Sequence, residues 1–224
     1  MRSLVKSFII FLFVIATVIP ALRAQVNMPF YKDIQSFKKQ DSLHFPPAHA
    51  ILFVGSSSFT KWVDVQDYFP GYNIINRGFG GSSLPDVIRY ADDIIFPYRP
   101  KQIIIYCGEN DFASSDTISV NTVYERFKNL FFLIRKKMPD VPVAYISMKP
   151  SPRRQHLMPE FLQANTMIKE FLKSKSHTVF IDVYKKMLID DGTPVKDIFL
   201  QDSLHMNAGG YRIWQKIIQP YLMK

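Results

Sequence analysis

Gln102-Ile103-Ile104-Ile105-Tyr106-Cys107 runs straight into Gly108-Glu109-Asn110-Asp111. The first six residues are almost continuously apolar and rich in isoleucine, the pattern of a strand covered on both faces in a parallel sheet. The next four, a glycine and three polar residues, mark a loop leaving the carboxyl end of that strand. Residues 50–54, 73–76, 143–147 and 179–183 have the same character as 102–107. Helical spacing fills the intervals. Val120, Val123, Phe127, Leu130, Phe131, Ile134 and Met138 recur every three to four residues up to Pro139. Phe161, Ala164, Ile168, Phe171 and Leu172 repeat the pattern, as do Tyr211, Trp214, Ile217, Ile218, Tyr221 and Leu222 at the C-terminus. Phe30, Ile34 and Phe37 predict a short helix before the first strand. Strands alternating with helices predict a doubly wound α/β sandwich.

Composition narrows the class further. The chain has 224 residues, 47% of them hydrophobic and 21% charged, which excludes a disordered chain and suits one globular core. A single cysteine, Cys107, excludes an internal disulfide framework and a cysteine-clustered metal site. It ends a predicted buried strand, where an inert packing role is expected.

The first residues read as a secretory signal peptide. Arg2 and Lys6 precede an uncharged, mostly apolar run over 7–22, and Ala24 offers a small residue before a cut. The run is short for a membrane span and is interrupted by Pro20. A secreted or periplasmic mature chain of residues 25–224, forming one domain with no stable membrane span, is therefore expected. The formal net charge of +9 falls to +6 once Arg2, Lys6 and Arg23 leave with no acid. The remaining basic residues form no block, so the excess does not point to nucleic acid.

In an open α/β sheet ligands bind beyond the carboxyl ends of the strands. Those loops hold Gly55-Ser56-Ser57-Ser58, then Asn76-Arg77-Gly78-Phe79-Gly80-Gly81-Ser82-Ser83, then Gly108-Glu109-Asn110-Asp111, and later Asp202-Ser203-Leu204-His205. Each loop alone has an ordinary reading. A serine-rich turn caps a helix, paired glycines make a tight turn, Asn-Asp caps or turns a loop, and Asp and His commonly decorate loops. Their joint occurrence, in this order and each after a strand, is what points to chemistry. A serine needs a base to take its proton, and Asp three residues before His can hold the imidazole for that task.

These blocks resemble those of the SGNH hydrolases, also called the GDSL lipase/acylhydrolase family, over essentially all of residues 25–224. The resemblance implies a flavodoxin-like three-layer α/β/α sandwich with a five-stranded parallel sheet, and a serine esterase needing no metal or organic cofactor. Aligning the Gly-Asp-Ser block on Gly55-Ser56-Ser57 makes Ser57 the nucleophile. Ser56 stands where the family carries Asp; Ser56 and Ser58 stay open as nucleophiles, with spacing favouring Ser57. Asp202 and His205 match the final Asp-x-x-His. The implied oxyanion donors are the backbone N–H groups of Ser57 and Gly81 and the side-chain amide of Asn110.

Arg153 and Arg154, in a proline-stiffened loop after the fourth strand, are candidate substrate contacts, and Arg77 in the glycine loop is a candidate substrate contact or a structural hydrogen-bond donor. The other histidines, His44, His49, His156 and His177, have no comparable partner spacing and read as surface or packing residues. The expected substrate is a short-chain acyl ester, acetyl above all, on a carbohydrate or other small molecule. Lipid or lysophospholipid esters are the nearest alternative. A flavodoxin-like module holding a phosphate on residues 56–60, and a catalytically silent relative of the family, are the non-enzymatic readings.

Overall fold

The computed structural model describes residues 28–224; the expected leader, 1–24, lies outside them. The chain opens with helix α1 (Tyr31–Leu43), then strand β1 (Ile51–Gly55), short helices α2 (Ser57–Thr60) and α3 (Val65–Tyr68), and β2 (Ile74–Gly78). Helices α4 (Leu84–Arg89) and α5 (Ala91–Ile94) lead to β3 (Gln102–Tyr106), followed by α6 (Glu109–Ala113) and α7 (Val120–Lys137). Strand β4 (Val143–Ile146), helix α8 (Met158–Lys173), β5 (Thr178–Ile181) and α9 (Ala208–Ile218) complete the order.

The strands form one parallel sheet in the order β2-β1-β3-β4-β5. Alternate residues of each strand enter opposite cores, because successive side chains point to opposite faces. Leu52, Val54, Ile103, Ile105 and Tyr145 pack beneath α7, α8 and the α4–α5 region. Ile51, Phe53, Ile104, Tyr106 and Ile146 meet Phe59, Trp62, Tyr211 and Trp214 on the other side. This two-sided burial explains why the strand sequences lack polar alternation, and it gives the expected three-layer α/β/α sandwich. Each large apolar side chain so buried contributes about 1.5–3 kcal/mol.

Local chemistry sets the helix ends. Ser119 caps α7 by accepting the Thr122 N–H, and Arg135, Lys136 and Lys137 fill its last turn, where cations complement the helix dipole. Asn207 caps α9 by accepting the N–H groups of Gly209 and Gly210. Among the described residues no helix is long and apolar enough to cross a membrane.

Two boundaries differ from the sequence reading in a way that bears on the site. The second strand reaches Gly78, so Arg77 lies within the sheet rather than in the loop after it. The last helical pattern divides after Ile218 into α9 and a 3-10 turn over Gln219–Tyr221, because Pro220 cannot continue the α-helical hydrogen bonds. The order around β1 is decisive for position. Connections leave β1 towards β2 on one side and return to β3 on the other, so the loops after β1 and β3 flank the switch point, where a crevice forms.

Candidate active site

The serine turn begins as β1 ends. Gly55 has φ +141°, and a Cβ there would lie 1.9 Å from the Tyr106 carbonyl oxygen, so only glycine lets β1 pass β3 at this point. Ser56 and Ser58 are buried, whereas Ser57, first residue of α2, is half-buried. Among the described residues neither the Ser57 nor the Ser58 hydroxyl has a hydrogen-bond partner, but Ser58 is only 2% exposed and its carbonyl accepts the Tyr211 hydroxyl at 2.9 Å. The backbone N–H groups of Ser57 and Gly81 likewise find no acceptor among the described residues. Gly80 sets the two loops side by side: its Cβ position would be 4.0 Å from the Cβ of Ser57.

Asn110 reaches this turn from β3. Its Nδ2 donates to Ser56 Oγ at 2.6 Å and to the Ser82 carbonyl at 3.0 Å. Gly108, φ +128°, makes the turn possible, since a Cβ there would fall 2.9 Å from the Met148 sulfur. Asp111 anchors the same loop by accepting the Leu84 N–H at 2.9 Å and Arg126 Nη1 at 2.9 Å. Burial pushes the Asp111 carboxyl upward, and those two donors oppose the shift.

The last loop carries Asp202 and His205. It is closed by the bridge between Phe199 and Met206 and by a bond from the Leu200 N–H to the His205 carbonyl. Asp202 Oδ1 accepts the N–H groups of Leu204 and His205 at 3.0 and 2.9 Å, and Oδ2 meets His205 Nδ1 at 2.6 Å. Burial pushes the Asp202 carboxyl up, but the ring and backbone donors outweigh it and bring it down to about 2. With Nδ1 engaged, Nε2 has no partner among the described residues; no hydrogen bond joins it to Ser57. The Arg153 N–H donates to the Ser203 carbonyl at 2.9 Å, tying this loop to the one after β4.

The three arginines occupy different positions. Arg77 does not face the site: Nε donates to the Tyr98 hydroxyl, Nη1 to the Asn76 carbonyl and Nη2 to Asp41. Every nitrogen of the guanidinium is engaged, and the Asp41 contact docks α1 against the sheet, so Arg77 is a structural hydrogen-bond donor, which corrects the other expectation, a substrate contact. Arg153 is exposed beside Leu204, with His156 and Asp116 in the same groove. Arg154 bridges two residues of the β3 loop, with Nη1 3.0 Å from Glu109 Oε2 and Nη2 2.6 Å from Asn110 Oδ1.

Glu109 and Lys149 are the polar residues that sequence reasoning missed. Glu109, 6% exposed, accepts from the Tyr106 hydroxyl and lies 3.3 and 3.4 Å from the ammonium of Lys149, itself 1% exposed. Burial pushes the Lys149 ammonium down, and the neighbouring Glu109 works against that shift. No spacing rule links positions forty residues apart, so only the fold brings them together. Cys107 is buried as expected, and burial raises its thiol well above the ordinary value. His44, His49, His156 and His177 are all exposed. Among the described residues no group of three or more His, Cys, Asp or Glu is placed to hold a metal ion.

Comparison with known proteins places the fold. A protein from Streptococcus pneumonia named for platelet activating factor has the same fold, with 19% identity, TM-score 0.76, and coverage of 93% of this chain and 99% of that one. A GDSL-like lipase from Bacteroides thetaiotaomicron VPI-5482 follows at 18% identity and TM-score 0.69, covering 84% and 96%. A variant of an acetyl xylan esterase from Geobacillus stearothermophilus gives 12% identity and TM-score 0.62, covering 78% and 94%. No curated protein matches the chain. The model of the GDSL-like Lipase/Acylhydrolase family matches residues 53–213, from within β1 to within α9. The chain therefore belongs to the GDSL-like lipase/acylhydrolase family.

Proposed function

We propose that this protein is an exported serine esterase that removes short acyl groups, acetyl foremost, from carbohydrates or other small hydroxyl compounds. The observation that carries the reading is the meeting of loops at the switch point: Asn110 holds the serine turn through Ser56 at 2.6 Å, and Ser57 is the one serine of that turn that is not buried. Ser57 Oγ attacks the ester carbonyl carbon and passes its proton to His205 Nε2, while Asp202 steadies the imidazolium. The carbonyl oxygen becomes an oxyanion, received by the N–H groups of Ser57 and Gly81 and by the Asn110 amide. One Asn110 N–H stays on the Ser82 carbonyl; the other, now on Ser56 Oγ, is the one offered to the oxyanion. Collapse expels the alcohol with the proton from Nε2. Water then gives its proton to the same nitrogen and attacks the acyl-enzyme, releasing the acid and restoring Ser57.

The likeness to an acetyl xylan esterase supports acetyl as the first acyl group to try. The apolar leader over residues 1–24 supports export. The test is kinetic. The purified protein is expected to hydrolyse p-nitrophenyl acetate, and Ser57→Ala to lower kcat by at least about 10³-fold. Wild-type rates in Ser57→Ala, with loss in Ser56→Ala or Ser58→Ala, would overturn the assignment. Acetate release from acetylated glycans, set against longer-chain and lysophospholipid esters, decides the substrate class.

A further inference from the structure

The oxyanion role of Asn110 depends on which way its amide faces. Oδ1 and Nδ2 are nearly equal in size, so packing alone distinguishes the two orientations poorly. A guanidinium, which only donates, can meet only the oxygen. Arg154 Nη2 lies 2.6 Å from Asn110 Oδ1, and that contact turns Nδ2 towards Ser56 and the Ser82 carbonyl. Arg154 is fixed in turn by Glu109, whose carboxylate is also held by Tyr106 and Lys149. Charge burial of this kind is costly unless every partner is satisfied. The cluster sits on the residue immediately before Asn110, at the start of α6.

We propose that Arg154 is a positioning residue for the esterase reaction, locking the Asn110 amide so that its N–H faces the developing oxyanion. This rests on the esterase reading above. Two consequences follow from the chemistry. An amide accepting a charged hydrogen bond on oxygen becomes a stronger donor through nitrogen. Two cations against one acid also leave a positive excess behind the oxyanion, which a low-dielectric surrounding makes effective. Glu109 and Lys149 supply the rigid seat, because a lone arginine side chain would lose the contact to its own rotamers. Arg154 therefore acts through Asn110 and not on the substrate, unlike the exposed Arg153.

The test is a double-mutant cycle on the full chain with p-nitrophenyl acetate, an uncharged ester. Arg154→Met is expected to lower kcat by about 10- to 100-fold, the scale of one charged hydrogen bond, with KM nearly unchanged. Arg154→Lys restores little, since an ammonium cannot span Glu109 and Asn110 in the same fork. In the Asn110→Ala background, Arg154→Met is expected to cost no more than about 2- to 3-fold further, because its target is gone. Near-UV circular dichroism reports folding, and Arg154→Gln replaces the methionine variant if that one fails to fold. An undiminished loss in the Asn110→Ala background, or a loss confined to KM, would overturn the positioning role. Wild-type kcat in Asn110→Ala itself would instead overturn the oxyanion assignment on which it rests.

Discussion

Asp202 commits both carboxylate oxygens to His205, one to its backbone N–H and one to its ring. The consequence appears in pH dependence. With the Asp202 carboxyl held down to about 2, it remains ionised throughout the range in which a histidine changes charge. On the esterase reading, Asp202 then adds no second protonation to the acid limb of kcat/KM, and log kcat/KM falls with unit slope. Stability follows a different course. A depressed acid contributes stability present above its unfolded value, near 3.9, and lost only as pH falls through about 2. Activity is therefore expected to disappear on the acid side while far-UV circular dichroism and the urea midpoint still report a folded chain. A slope of two, or activity and fold lost together, would contradict this account. Much of this was legible in the sequence: Asp202 and His205 stand three apart, a separation one loop can serve. The Asn110 orientation was not, because it depends on Arg154, 44 residues from Asn110 in the chain, and on Lys149, 40 residues from Glu109.

Strands were easier to read than short helices. The five apolar runs fall within one or two residues of β1 to β5, since burial on both faces writes itself directly into composition. The helices α2, α3 and α5 have four residues each and α4 has six, too short for a helical period to emerge. The same limit hid the role of Arg77. A charged residue beside a glycine-rich loop resembles a substrate contact, but the strand continues through it and α1 supplies its acid. Arg77→Met is expected to lower stability by about 2–4 kcal/mol, because Asp41 is left largely buried without its cation. Urea denaturation measures that loss, and kcat/KM for p-nitrophenyl acetate should stay within about 2-fold, as no distal nitrogen of Arg77 reaches the loops. Unchanged stability with a raised KM would return Arg77 to the site.

At the scale of the whole molecule, the sheet order places the β1 and β3 loops across the switch point and brings the remaining loops to the same edge. Asn110 joins the loops after β1 and β2, Arg154 joins those after β3 and β4, and the Arg153 N–H ties in the Asp202–His205 loop. A continuous set of hydrogen bonds thus holds five segments together that are far apart in the chain. The basic residues, by contrast, are dispersed over the molecule, several of them in ion pairs such as Lys38–Asp93 and Arg126–Asp111. The central claim is that Ser57 is an activated nucleophile, and covalent capture tests it most directly. A fluorophosphonate, which joins an activated serine oxygen with loss of fluoride, should add one group to the wild-type protein, with peptide mass spectrometry placing it on Ser57. An adduct on Ser56 or Ser58, or no adduct on an esterase-active protein, would contradict the account.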